Sequence, residues 1–167
     1  MQNDEIIKEV LPFRAKLYRF CFNIVNDEHD TEDILQELLI KIWQKREDFI
    51  HVEHKEAWCM TVTRNMAIDK IRSRKNRTSN IDDHLSISDQ GPTPDKQTEQ
   101  KDALESVMNI VNELPIHQKE IILLRDVEGH TYKEIAEITN ASEDQVKVAL
   151  FRARQKLKEK LKNIRIN

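Results

Sequence analysis

Between Thr78 and Asp102 the chain reads "TSNIDDHLSISDQGPTPDKQTEQKD", and helical periodicity stops there. Six acids, Gly91 and the pair Pro92 and Pro94 fill the stretch, with three aliphatic residues among them. A compact domain seldom contains about 25 structureless residues, so residues 78–102 are expected to form a flexible acidic linker. What lies on either side, 1–77 and 103–167, must then fold as two units. Each is near the size at which an independent core becomes marginal.

Both units carry helical spacing. Two Gly and four Pro in 167 residues favour helices over sheet. In the first unit Phe13, Leu17, Phe20 and Ile24 form one apolar stripe. Ile34, Leu35, Leu38, Leu39 and Ile42 form the next, closed by Trp43, and Trp58, Val62 and Met66 a third. The second unit starts with Leu104, Val107, Met108 and Val111, after which Pro115 separates a helix over 116–127 and Gly129 ends it. The fold class expected is all-α. The longest aliphatic run, Ile121–Leu124, is too short to cross a membrane. Residues 1–25 lack the pattern of a secretory signal, so the cytoplasm is the expected compartment. Cys21 and Cys59 have no metal-ligand spacing and are expected to be core thiols.

Charge is distributed unevenly. The net charge is -3, yet residues 64–77 hold six basic side chains and one acid, and residues 146–162 hold seven and one. The remainder is strongly acidic. Two local contacts with a polyanion fit this pattern, and a generally basic surface does not.

The second basic segment follows a recognisable arrangement. Tyr132, Ile135, Ala136 and Ile138 predict a short amphipathic helix starting near Thr131. Asn140 suits a left-handed turn, and Ser142 with Gln145 forms a capping-box pattern for the next helix. In that helix Val146, Ala149, Leu150, Ala153 and Leu157 make one narrow buried stripe. Asp144, Lys147, Val148, Phe151 and Gln155 fall on the opposite face. This is a helix-turn-helix pattern. An outward Phe151 beside Lys147 and Arg152 either meets a thymine methyl in a major groove or packs on a neighbouring element. The first basic segment, 64–77, reads as one helix with a mixed face of Trp58, Thr61, Asn65 and Arg72. Its residues alone leave a merely solvated helix open.

Three motifs together resemble the bacterial RNA polymerase sigma factors of the extracytoplasmic-function (ECF) type. They are "DTEDILQELLIKIWQ" (30–44), "AWCMTVTRNMAIDKIRSRKNR" (57–77) and "LPIHQKEIILLRDVEGHTYKEIAEITNASEDQVKVALFRARQKL" (114–157). The resemblance implies a sigma-2-like helical bundle over 1–77 and a sigma-4-like helix-turn-helix domain over 103–167. It implies that Asp33, Gln36 and Glu37 contact core RNA polymerase, on a face where Asp27–Glu37 holds six acids and no Lys or Arg. It places Asn65 beside an unstacked base of the minus-10 element, where an amide offers both donor and acceptor. The loop near His51–Lys55 would help cradle that base. Arg64, Arg72, Arg74 and Arg77 would hold phosphates. Lys147, Phe151 and Arg152 fall at minus-35 reading positions, with Val148 and Arg154 completing that set.

The implied function is that of a promoter-specificity subunit, with core polymerase and promoter DNA as partners. An anti-sigma factor is a further partner that the resemblance allows. The free chain is expected to be a monomer without cofactor, metal or catalytic residue. Val148-Ala149 departs from the Ser-Arg of many relatives, and the turn lacks their glycine, which leaves the minus-35 sequence open. An autonomous helix-turn-helix regulator would need a dimer seam, and none is visible. A DNA-processing enzyme would need a ligand or acid–base cluster, which His29, His51, His54, His84, His117 and His130 do not supply.

Overall fold

The computed structural model describes residues 2–80 and 99–166. The linker expected over 78–102 lies largely outside the described residues. The first half comprises α1 (Gln2–Val10), a 3-10 turn (Leu11–Phe13), α2 (Arg14–Val25), α3 (Glu28–Gln44), α4 (Arg46–Phe49) and α5 (Lys55–Asn80). The second comprises α6 (Glu99–Glu113), α7 (Ile116–Ile122) running into a π turn (Leu123–Val127), α8 (Tyr132–Thr139) and α9 (Glu143–Ile166). No strand occurs among the described residues.

Local chemistry sets the boundaries. Pro12 converts the end of α1 into the 3-10 turn. Asn26 ends α2 in the left-handed region at φ 53°, and its N–H donates to the Phe22 carbonyl at 2.7 Å. Asp27 then caps α3, accepting from the Asp30 N–H at 2.8 Å. Asn140 repeats the left-handed stop at φ 54°, as its side chain permits. The Ser142 hydroxyl accepts from the Gln145 N–H at 3.1 Å, and Gln145 returns by accepting from the Ser142 N–H at 2.9 Å. Both features match the sequence reading.

Packing follows the stripes, with two departures. Leu17, Phe20, Cys21 and Ile24 of α2 meet Ile34, Leu35, Leu38 and Ile42 of α3 and Cys59, Met60 and Ala67 of α5. Burial pushes the Cys21 and Cys59 thiols up to about 12, which keeps them as inert core groups. In the second half Ile121–Leu124, Ile135, Ile138, Val146, Leu150 and Ala153 are buried together. Leu39 and Trp43, expected inside, are 44% and 41% exposed, because the α3 stripe is narrower than its apolar run. Leu104 is also outside at 62%, since α6 buries its C-terminal part (Ile110, Val111) together with the following Leu114, while its early turns extend past the core. The two halves pack on one another as well, α5 against α8 and α2 against α7.

Candidate polymerase and promoter interfaces

α3 presents Asp33, Gln36 and Glu37 on an exposed face. Asp33 pairs loosely with His29 at 3.6 Å, one turn before it. At 100° per residue the same face continues into Ile40 and Trp43, which are 55% and 41% exposed. The Arg46 guanidinium stacks 4.5 Å from the Trp43 ring and donates to its carbonyl at 3.0 Å, holding the indole in place. The face is therefore acidic at one end and apolar at the other. Sequence reasoning found the acidic end and took Trp43 for core. The available signal was the run "LLIKIW" (38–43), which has more apolar positions than one buried stripe can use.

α5 is anchored at its start and basic towards its end. The Trp58 ring meets the buried Phe49 ring edge-on at 5.2 Å. Lys55 closes the preceding loop by donating to the carbonyls of Val52 (3.1 Å) and Ile50 (3.4 Å). His54, in this loop, lies near Glu134 of α8. A hydrogen bond from His130 holds the Glu134 carboxyl below its usual range, and the His54 charge assists. Asn65 is exposed about two turns beyond Trp58, and its Oδ1 accepts from Arg64 Nη1 at 3.1 Å.

The cations of α5 separate into two groups. Arg72 and Arg77 project to solvent. Arg64 is directed across to α7, where Nε and Nη2 fork onto Glu120 at 2.7 and 2.9 Å. Arg74 bonds Asp30 of α3 and donates to the Val25 carbonyl at 2.7 Å. Burial alone would raise the Asp30 carboxyl, but Arg74 and Lys70 outweigh it and hold the group below its usual range. Arg64 and Arg74 are thus engaged within the protein in this conformation.

The helix-turn-helix has the orientation read from its sequence. Val146, Ala149, Leu150 and Ala153 are buried, while Lys147, Val148, Phe151 and Arg152 are exposed. Phe151 is 63% exposed, so it does not pack on a neighbouring element. Lys147 Nζ lies 5.7 Å from the Tyr132 ring centroid, which links the two helices of the motif. Arg154 is drawn away towards Asp126, with contacts of 3.1 and 2.5 Å. Among the described residues no group of three or more His, Cys, Asp or Glu could hold a metal ion.

Two helical modules, the second a helix-turn-helix with an exposed basic and aromatic face, have the architecture of a DNA-binding protein. Comparison with known proteins narrows the class. Residues 10–77 match the family model "Sigma-70 region 2" and residues 104–157 match "Sigma-70, region 4". The chain is 35% identical over 144 residues to the ECF RNA polymerase sigma factor SigM of Bacillus subtilis (strain 168), spanning 85% of this chain and 86% of that protein. It is 27% identical over 158 residues to SigX of the same organism, spanning 92% and 81%. Its fold matches the sigma factor RpoE from Bartonella quintana, solved in complex with the anti-sigma factor NepR. The TM-score is 0.80 at 26% identity, over 95% of this chain and 97% of that one.

The chain belongs to the ECF-type RNA polymerase sigma factors of the sigma-70 family. Its function is that of a promoter-specificity subunit, which binds core polymerase and promoter DNA to direct transcription initiation.

Proposed function

We propose that the chain distributes this function over three surfaces. The exposed face of α3, from Asp33 through Gln36 and Glu37 to Ile40 and Trp43, docks on core polymerase. Its acids repel DNA, and its apolar end offers area that a protein partner can cover. The loop over 51–55 with Asn65 of α5 captures a base of the minus-10 element, and Arg72 and Arg77 hold the adjoining backbone. Lys147, Val148, Phe151 and Arg152 of α9 enter the major groove at the minus-35 element, followed by a tail of lysines along the phosphates. Arg64, Arg74 and Arg154 contribute to DNA contact only when their intramolecular carboxylate partners release them.

The observation that carries this reading is Phe151, which stands outward between Lys147 and Arg152 on a capped second helix. A large apolar side chain left in water on a basic face suits a base edge bearing a methyl group. On this reading the chain catalyses no reaction, works in the cytoplasm and is a monomer when free. The division of 1–77 and 103–167 into separate promoter-reading domains belongs to the same reading. An anti-sigma partner is suggested by the RpoE–NepR complex.

The test is run-off transcription with purified core polymerase over a promoter library. Products initiated from promoters sharing two spaced elements are expected. Transcription from random templates without enrichment would refute the assignment.

A further inference from the structure

The outward face of α9 carries an acid at its centre. At 100° per residue Asp144 lies within about 20° of Phe151 and about 40° of Val148, with Lys147 about 60° to the other side. All four are exposed. The Asp144 side chain makes no hydrogen bond or ion pair among the described residues. An acid in the first turn also suits the helix dipole, but Glu143 serves that end about 100° round the helix. The dipole therefore does not explain why a second acid stands among the groups that face the groove.

A cleft of about 610 Å³ runs beside this face, lined by Pro115 and His117 of the α7 start, Asn140 of the turn, and Asp144, Val148 and Arg152 of α9. Arg152 lies about 12 Å along the axis from Asp144, too far to pair with it. The cleft thus has a cation at one end and an unpaired carboxylate at the other. A helix-turn-helix meets base edges with the first turns of its second helix, where Asp144 stands. A carboxylate only accepts hydrogen bonds. In the major groove guanine and thymine offer it acceptors, and adenine a donor beside the acceptor N7. Cytosine alone offers a donor, its N4 amino group, with no acceptor of its own.

We infer that Asp144 determines base specificity in the minus-35 contact, accepting from the N4 amino group of a cytosine and rejecting the other three bases at that position. The inference rests on the reading of α9 as the minus-35 helix. Val148 follows one turn later, a rise of about 6 Å, so the cytosine falls within about two base steps of the pair that Val148 meets. Val148 has no polar side-chain atom, and Asp144 supplies the hydrogen-bonding group that this end of the helix otherwise lacks. The acid adds nothing to general affinity, because it opposes the phosphates. Its effect is selection, achieved by penalising the wrong sequences.

The experiment assembles holoenzyme from purified core polymerase and the full chain, and selects bound duplexes from a promoter pool randomised across the minus-35 element. The parent should enrich cytosine at one position of that element. Asp144→Ala should lose that preference, by about five- to tenfold, and keep the preferences at the other positions. Asp144→Asn should move the preference at the same position to adenine, since an amide pairs with adenine N6 and N7. Glu143→Gln removes the same charge away from the face and should leave every preference as in the parent. Base preferences of Asp144→Ala identical to those of the parent overturn the inference. So does a uniform gain in affinity without a change at any one position, which would make the acid a general repulsive charge. Failure of the underlying reading is distinguishable, because Lys147→Ala and Phe151→Ala would then also leave all minus-35 preferences unchanged.

Discussion

Asp30 near the start of α3 and Arg74 near the end of α5 bond to each other across the junction of the two helices. Arg74 also donates to the Val25 carbonyl at 2.7 Å, so its guanidinium is a strut among α2, α3 and α5. Arg74→Ala should lower unfolding stability by about 1–2 kcal/mol, allowing for partial exposure of the pair. Arg72→Ala and Arg77→Ala, at exposed positions, should change it by less than about 0.5 kcal/mol while weakening promoter binding. Urea titrations of the three variants provide the comparison, and equal stability losses would remove the strut.

Asn65→Ala should impair strand opening and minus-10 discrimination in the assembled complex while leaving core binding intact. Losing an amide's paired contacts with one base costs about 1–3 kcal/mol. Permanganate footprinting of the holoenzyme on minus-10 variants measures this. A variant that opens and discriminates like the parent assigns the base contact elsewhere.

On α9, Phe151→Ala and Lys147→Ala should reduce discrimination among minus-35 sequences. Lys158→Ala should lower affinity about equally on all of them, because in the proposed reading the tail follows phosphates and not base edges. Competition binding of holoenzyme across minus-35 variants separates the two patterns. Identical profiles for all three would mean that α9 docks in another orientation.

On α3, Trp43→Ala should weaken core binding as strongly as Asp33→Ala or Glu37→Ala, by about 1–3 kcal/mol for a half-exposed aromatic at an interface. The three residues share one face, so both its acidic and its apolar ends should contribute. Pull-down with purified core polymerase followed by titration gives the affinities. Full retention of binding by Trp43→Ala would confine the interface to the acidic end.

Lys119 is 4% exposed and has no ion-pair partner among the described residues, and burial pushes its ammonium down to about 8. At pH 7 the folded and unfolded chains both carry the proton, and the folded one bears the cost of burying it. From pH 8 towards 10.5, the ordinary lysine value, the unfolded chain binds more protons, so rising pH relieves that cost and stabilises the fold. Lys119→Met should accordingly stabilise the protein at pH 7, by about 1–3 kcal/mol, and the gap should close as pH approaches 10.5. Cys21 and Cys59 titrate in the opposite sense, but they are common to both proteins and cancel in the difference. A gap that does not vary with pH would show that the gain came from packing instead.

Features that depend on neighbours in sequence were legible without the structure. The buried stripe from Val146 to Ala153, the left-handed Asn140 and the Ser142–Gln145 cap each follow from a local rule about period or backbone geometry. The Arg64–Glu120 and Arg74–Asp30 pairs do not, because the partners are 56 and 44 residues apart and no period connects them. With 27 bases and 30 acids in the chain, composition permits hundreds of such pairings, and tertiary packing selects a few. The exposure of Trp43 and Leu39 escaped for a related reason. Helical spacing gives the direction of a side chain, but only a neighbouring element decides whether that direction is covered.

The 26 residues of α5 form one unbroken helix. At 1.5 Å per residue it is about 39 Å long, and about 29 Å of it separates Trp58 from Arg77. Because the Trp58 ring is wedged against Phe49, that end cannot slide, and a residue inserted midway would turn everything beyond it through about 100°. The helix therefore works as a ruler with a fixed zero. If Asn65 and its loop capture a base as proposed, its distance to the arginines that would grip the backbone is set by helical rise, and with it the length of strand that could be held apart at one time.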